Sequence, residues 1–246
     1  MSLAMYTDLM KNISLIILLL FTISCSSKNW RTASRESAQI APKAELLKEH
    51  IVQVYHARAF SWRGNFGVHP WVAWKRIEDS EYTVAQVTSW NIRRQGTAVR
   101  VEKDIPDRLW YDNKPTIIFE ARGERAQKII TKLESLIKSY PFKDEYKLWP
   151  GPNSNTFVSY MIRNIDEINI ELPPHAVGKD YLGGHNFLST TASQTGFVFS
   201  LYGLLGLTLG IQEGVELNLF GLHFGVDFWT PAIKLPFLGR LGFKDQ

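Results

Sequence analysis

From Ile51 the side chains alternate, Ile51 and Gln53 against Val52 and Val54, and a period of two predicts a strand running towards Phe60. Gly64 and Gly67 break it. The segment VHPWVAWKRI (68–77) predicts a second strand, EDSE (78–81) a turn, and YTVAQVTSW (82–90), rich in β-branched residues, a third strand. A short strand at 99–102 and another at PTIIFEA (115–121) follow across a loop rich in Pro, Asp and Asn. The period then changes. Ala126, Ile129, Ile130, Leu133, Leu136 and Ile137 share one face at helical spacing, which predicts an amphipathic helix over 124–139, ended by Tyr140-Pro141. Its apolar face is assigned to covering the strands.

A second helix is predicted after the turn LWPGPNSN. Pro150, Gly151 and Pro152 stiffen the turn, Asn153 and Ser154 stand where N-cap chemistry belongs, and Phe157, Val158, Met161 and Ile162 follow at helical spacing. The stretch 172–184 reads as extended or turning. From Gly196 the pattern returns to a period of two, with Leu207, Leu209 and Ile211 against Gly206, Thr208 and Gly210, continuing through Val215, Leu217, Leu219, Leu222, Phe224, Val226 and Phe228. This predicts a Gly-rich β-meander rather than a membrane span. The expected fold is α+β: an antiparallel sheet covered by two helices, in residues 46–184, with the meander of 185–246 packed on that core.

The first residues read as an address. Lys11 precedes an uncharged run from Ile13 to Ile23, eleven residues that would make a helix of about 16 Å, half the roughly 30 Å of a bilayer core. That length suits the apolar region of a signal peptide, assigned to 1–24. TISC, ending at Cys25, is similar to a bacterial lipobox, which implies acylation of Cys25. Ser26 after it resembles the sorting pattern for the outer membrane, so the expected location is the cell envelope, on the periplasmic face of that membrane. Residues 25–45, polar and rich in Ser and Ala, read as anchor and tether.

Cys25 is the chain's one cysteine, which excludes an intramolecular disulfide, a zinc–cysteine cluster and a cysteine nucleophile in the folded part. The net charge of +4 is spread without a Lys/Arg block, so no nucleic-acid partner is expected. Neither GxxxxGK[ST] nor GxGxxG occurs, and no cofactor is expected. His175, Asp180 and His185 do not match a metal-site spacing, and no metal is expected; Lys179 and Asp180 read as an ion pair closing a turn.

The parts of a base-activated nucleophile are present in sequence: His69 opening the second strand, Thr88 and Gln86 on the same face of the third, and Ser154 at a helix start. A turn centred on Asp79 and Ser80 would set residue 69 opposite Trp90.

The runs QVYHARAFSWRGNFGVHPW, WPGPNSNTF and LPPHAVGKDYLG resemble the bacterial domain-of-unknown-function family 3750, and EGVELNLFGL with PFLGRLGF resembles that family's tail. No established activity comes with the resemblance. A more distant one is to circularly permuted papain-like proteins, the NlpC-type peptidases and lecithin–retinol acyltransferase relatives. It implies that His69 is the strand histidine, Thr88 or Gln86 its polar partner, and Ser154 the residue in the cysteine's place. A serine cannot form the imidazolium-stabilised thiolate of that chemistry. The expectation is therefore a lipid-anchored envelope protein whose degenerate cleft binds a cell-wall peptide or an acyl or lipid ligand without turnover. Two alternatives stand beside it: an active serine-dependent amidase, peptidase or acyltransferase, and a structural envelope protein.

Overall fold

The computed structural model describes residues 29–243, and the chain divides into two compact units, Met1–Ala33 and Ser34–Gln246. Of the first unit only 29–33 are described, a turn in which Ala33 N donates to Asn29 O at 3.0 Å. The apolar run 13–23 and Cys25 lie outside the described residues.

In the second unit the strands β1 (Ile51–Arg58), β2 (Val68–Lys75), β3 (Thr83–Val87), β4 (Val99–Lys103) and β5 (Thr116–Arg122) form an antiparallel sheet in the order β4-β3-β2-β1-β5. Alternation divides its side chains. Val52, Val54, Val68, Val72, Trp74, Ala85 and Val87 point to one face, where α2 (Gly123–Lys138) and α3 (Ser154–Arg163) supply Ala126, Ile129, Ile130, Leu133, Phe157, Val158, Met161 and Ile162. Ile51, Tyr55, Ala57, Trp71, Ala73 and Val84 point to the other face, under Leu47, Ile40 and Trp110. Residues 34–45, read from sequence as tether, therefore include part of a core, through Ile40 and Ala44. Asp107 fastens them, its carboxylate accepting from Ser37 Oγ at 2.8 Å and from the backbone N–H of Ile40 and Ala41 at 2.7 and 3.0 Å.

The structure is α+β with a C-terminal meander, and among the described residues it has three α-helices where the periodicity indicated two. The extra one is α1 (Ser89–Gln95), in the stretch read as the end of the third strand. Seven residues carry too little periodicity to show themselves; the signal was Gly96, whose φ of 72° closes the helix in the left-handed region.

The meander is a second, seven-stranded sheet: β6 (Leu188–Thr190), β7 (Gly196–Leu201), β8 (Leu205–Gly210), β9 (Gly214–Leu219), β10 (Leu222–Asp227), β11 (Ala232–Leu235) and β12 (Gly239–Gly242), each hydrogen-bonded to the next. The uncharged 196–211 run is thus two strands, and no helix among the described residues is long and apolar enough to cross a membrane. Its polarity is the reverse of what packing on a core leads one to expect. Thr208, Glu216, Asn218, His223 and Lys234 face the protein, and the leucines, valines and phenylalanines between them face out.

Candidate functional site

His69 sits on β2 with Trp71 and Ala73, on the face away from the helices. Its Nε2 lies 2.9 Å from Gln86 Oε1; with a carboxamide oxygen as acceptor, Nε2 carries the proton. The ring lies on the indole of Trp110, which also stacks on Trp90 at 6.0 Å. Burial lowers the His69 pKa to about 4, and the bond from Gln86 only partly offsets it, so the ring is neutral at pH 7.

The ladder between β2 and β3 pairs Val72 with Ala85, which extends to place Thr88, not Trp90, across from His69. The expected register was off by two residues, which keeps the same face, and so Gln86 still meets the imidazole. Thr88 Oγ1 is buried and has no hydrogen-bond partner.

Ser154 is elsewhere. The N-cap of α3 is Asn153, whose Oδ1 accepts from Asn155 N at 2.9 Å and Thr156 N at 3.2 Å, while Thr156 Oγ1 accepts from Asn153 N at 3.1 Å. This is a capping box with threonine in the usual Glu/Gln place. Ser154 is the first residue inside the helix, on the side of Phe157, Val158 and Met161, which pack on the sheet face opposite to His69. Its hydroxyl makes no hydrogen bond among the described residues. The helix does reach β2 through its neighbour, as Asn155 Nδ2 donates to Val68 O at 3.3 Å. Of the four candidates, the structure brings His69, Gln86 and Thr88 to one face and leaves Ser154 on the other.

The sequence profile of a family described as a protein of unknown function, DUF3750, matches residues 49–181, over half of the 246-residue chain. The chain belongs to this family. Neither the curated proteins nor the solved structures contain a match. The DUF3750 match includes His69, Thr88, Gln86 and Ser154 and ends before the meander begins.

Between the DUF3750 core and the meander lies a set of charges that sequence reasoning reduced to one pair. Lys179 Nζ reaches Asp180 at 3.3 Å and Glu216 at 2.6 Å; His223 Nε2 reaches Asp180 at 2.8 Å; Lys234 Nζ contacts Glu171 and reaches Glu216 at 3.0 Å. Burial disfavours the ammonium of Lys179, but Asp180 and Glu216 outweigh it and raise the pKa. Burial likewise opposes ionisation of Asp180, and Lys179 with His223 overcomes it. Glu171 goes the other way: burial, with the charge of Glu216, pushes it up to about 8. The signal available in sequence was that the meander's charges fall on the positions alternating with its leucines. Arg163, half-buried beside this set, has Ser159 Oγ at 3.3 Å and lines a void of about 10 Å³, the room of one water.

His175, a rejected metal candidate, makes an edge contact with His56 at 6.1 Å, and the Nδ1 of each is buried without a partner. Burial lowers their pKa to about 4 for His56 and about 3 for His175. Among the described residues no group of three or more His, Cys, Asp or Glu is placed to hold a metal. Neither the small void nor a wider apolar groove on the meander is lined by His69, Gln86, Thr88 or Ser154.

Proposed function

We propose that this chain is a non-enzymatic envelope protein, lipidated on Cys25 and held at the periplasmic face of the outer membrane, with a structural role. The observation that carries the non-enzymatic part is the separation of the two catalytic candidates. His69 donates from Nε2 to Gln86 and stacks on Trp110, while the helix that begins at Ser154 packs its apolar side on the opposite face of the sheet. A general base must lie within hydrogen-bond reach of the hydroxyl it deprotonates, directly or through one water. The lipid anchor rests on the sequence, on the short apolar run that ends at Cys25. Metabolic labelling with an alkynyl fatty acid tests it: label on the wild type and none on Cys25→Ala, with the variant lost from the membrane fraction, agrees with the proposal. An unlabelled wild type contradicts it.

One observation favours a second reading, a ligand held without turnover. Trp90 and Trp110 are only partly buried and, with His69, present a stack of flat rings on which a peptide side chain or an acyl chain can lie. Tryptophan fluorescence titrations with a short apolar peptide and with an acyl amide separate the two readings. A saturable change that Trp110→Ala abolishes, with the ligand recovered intact, supports ligand binding; no change with either probe leaves the structural role.

A further inference from the structure

The meander turns its apolar side to the outside, and its register makes that side continuous. Phe197, Leu209, Val215, Val226, Ile233 and Leu241 are successive cross-strand partners over the six strands from β7 to β12, and Phe197 is 65% exposed. A parallel row runs Leu188, Phe199, Leu207, Leu217, Phe224 over β6 to β10. The charged residues between Gly196 and Phe243 all avoid these rows. Glu216, Lys234 and Arg240 are aligned on the inward side, Arg240 Nη1 reaches Asp227 at 2.7 Å, and Glu213 accepts from Ser193 N at 2.9 Å. Four strands of six residues and three of three or four make a face of about 29 by 17 Å on average, on the order of 500 Å² in projection, in the upper part of the range for the largest apolar patch on a soluble monomer.

Three features say what covers it. Nine residue steps lead from Cys25 to Ser34, a covalent reach of about 31 Å, so a lipidated Cys25 keeps the unit beside a bilayer. A single acyl chain holds a protein only marginally, and stable holding takes further chains or a second contact. The turns at the rim carry aromatic side chains, Tyr202 and Phe220 at one end and Phe228 and Trp229 at the other, with Trp229 78% exposed, as suits the boundary between headgroups and hydrocarbon. An open groove of about 370 Å³ beside Trp229 is lined by Leu209, Gly210, Ile211, Gly214, Val215 and Phe228, all without polar side chains.

We propose that this outward face is a second membrane contact, which seats flat on a phospholipid leaflet. It lies on the membrane and does not cross it. The longest strands are about 20 Å, shorter than the hydrocarbon core, and the inward face carries the ion pairs to Lys179 and Asp180. The proposal rests on the membrane-held reading above, and its test does not depend on acylation.

The full chain carrying Cys25→Ala and either Leu217→Cys or Leu209→Cys is labelled with an environment-sensitive dye. It is mixed with vesicles of phosphatidylethanolamine and phosphatidylglycerol. Gln127→Cys, on the exposed side of α2, is the control. The expected result is a blue shift and a several-fold loss of iodide quenching at 217 and 209 on adding vesicles, with 127 unchanged. Labels at 217 and 209 that stay quenchable with vesicles present overturn the proposal. So does protection seen before lipid is added and lost on dilution, because a second copy of the chain then covers the face. Hydrogen exchange of the unsubstituted chain guards against a misfolded variant: the turns at Tyr202 and Trp229 should slow with vesicles, and unchanged exchange there counts against lipid. Failure of the tether alone would appear as an unacylated wild type whose labelled variants still enter the leaflet.

Discussion

The imidazole of His69 lies flat on the indole of Trp110, with ring centroids 3.6 Å apart and planes within 6°. Together with the bond to Gln86 this fixes the ring from its face and its edge, the environment of a structural histidine. Gln86→Leu leaves the Nε2 proton unpaired in a buried place and should cost about 1–3 kcal/mol in urea unfolding. The double variant His69→Phe, Gln86→Leu removes both polar partners and should be less destabilised than the sum of the single changes.

Acid should weaken the fold through its buried imidazoles. His56, His69 and His175 all have pKa values depressed below the ordinary 6.5, so the unfolded chain takes up protons on them before the folded chain does. Their contribution is fully present above about pH 6.5 and is lost as the pH falls towards 4, by about 3 kcal/mol for His69. Glu171, raised to about 8, acts in the opposite sense between pH 4.5 and 8. The useful reading is therefore a difference: urea midpoints of the wild type should fall more steeply from pH 7 to pH 4.5 than those of the His69→Phe, Gln86→Leu variant.

At the start of α3 the two adjacent polar residues should behave very differently. Asn153 caps the helix and also donates to Leu148 O at 3.1 Å and Val177 O at 2.9 Å, so Asn153→Ala should cost about 2 kcal/mol. Ser154→Ala removes a hydroxyl without a hydrogen bond and should stay within about 0.5 kcal/mol, adding to His69→Ala without coupling. Thermal or urea unfolding of the two single variants and the Ser154→Ala, His69→Ala pair checks this.

Lys234 is fully buried between Glu171, Glu216 and the carbonyl of Glu213, which accepts from its Nζ at 2.8 Å. Lys234→Met leaves Glu216 with Lys179 as its remaining cation and the buried carbonyl of Glu213 without this donor, and should cost about 1–3 kcal/mol. Far-UV circular dichroism through a urea titration would show the loss; a variant as stable as the wild type would mean that the network contributes little.

The elements of the core sheet and the helix over Ala126 to Ile137 were legible because each rests on a single period. Pairing was harder. A two-residue error in the β2–β3 register leaves every side chain on its own face, so Gln86 was found beside His69 while Trp90 was placed wrongly. The link to Ser154 failed for a different reason. Alternation along β2 shows that His69 and Val68 point apart, but not which of them looks towards α3, and only packing decides that. The same ambiguity hid the orientation of the meander. A period of two distinguishes two faces and does not say which one is buried; the partners that turn Glu216, His223 and Lys234 inward lie at Lys179, Asp180 and Glu171, remote in sequence.

The most direct test of the non-enzymatic account is labelling of the full-length protein with a serine-directed fluorophosphonate, read by intact mass and peptide mapping. The account predicts no adduct on Ser154, because His69, the base such a site would use, is bonded to Gln86 on the sheet face away from the helix that begins at Ser154. A stoichiometric adduct on Ser154 that His69→Ala abolishes would contradict it.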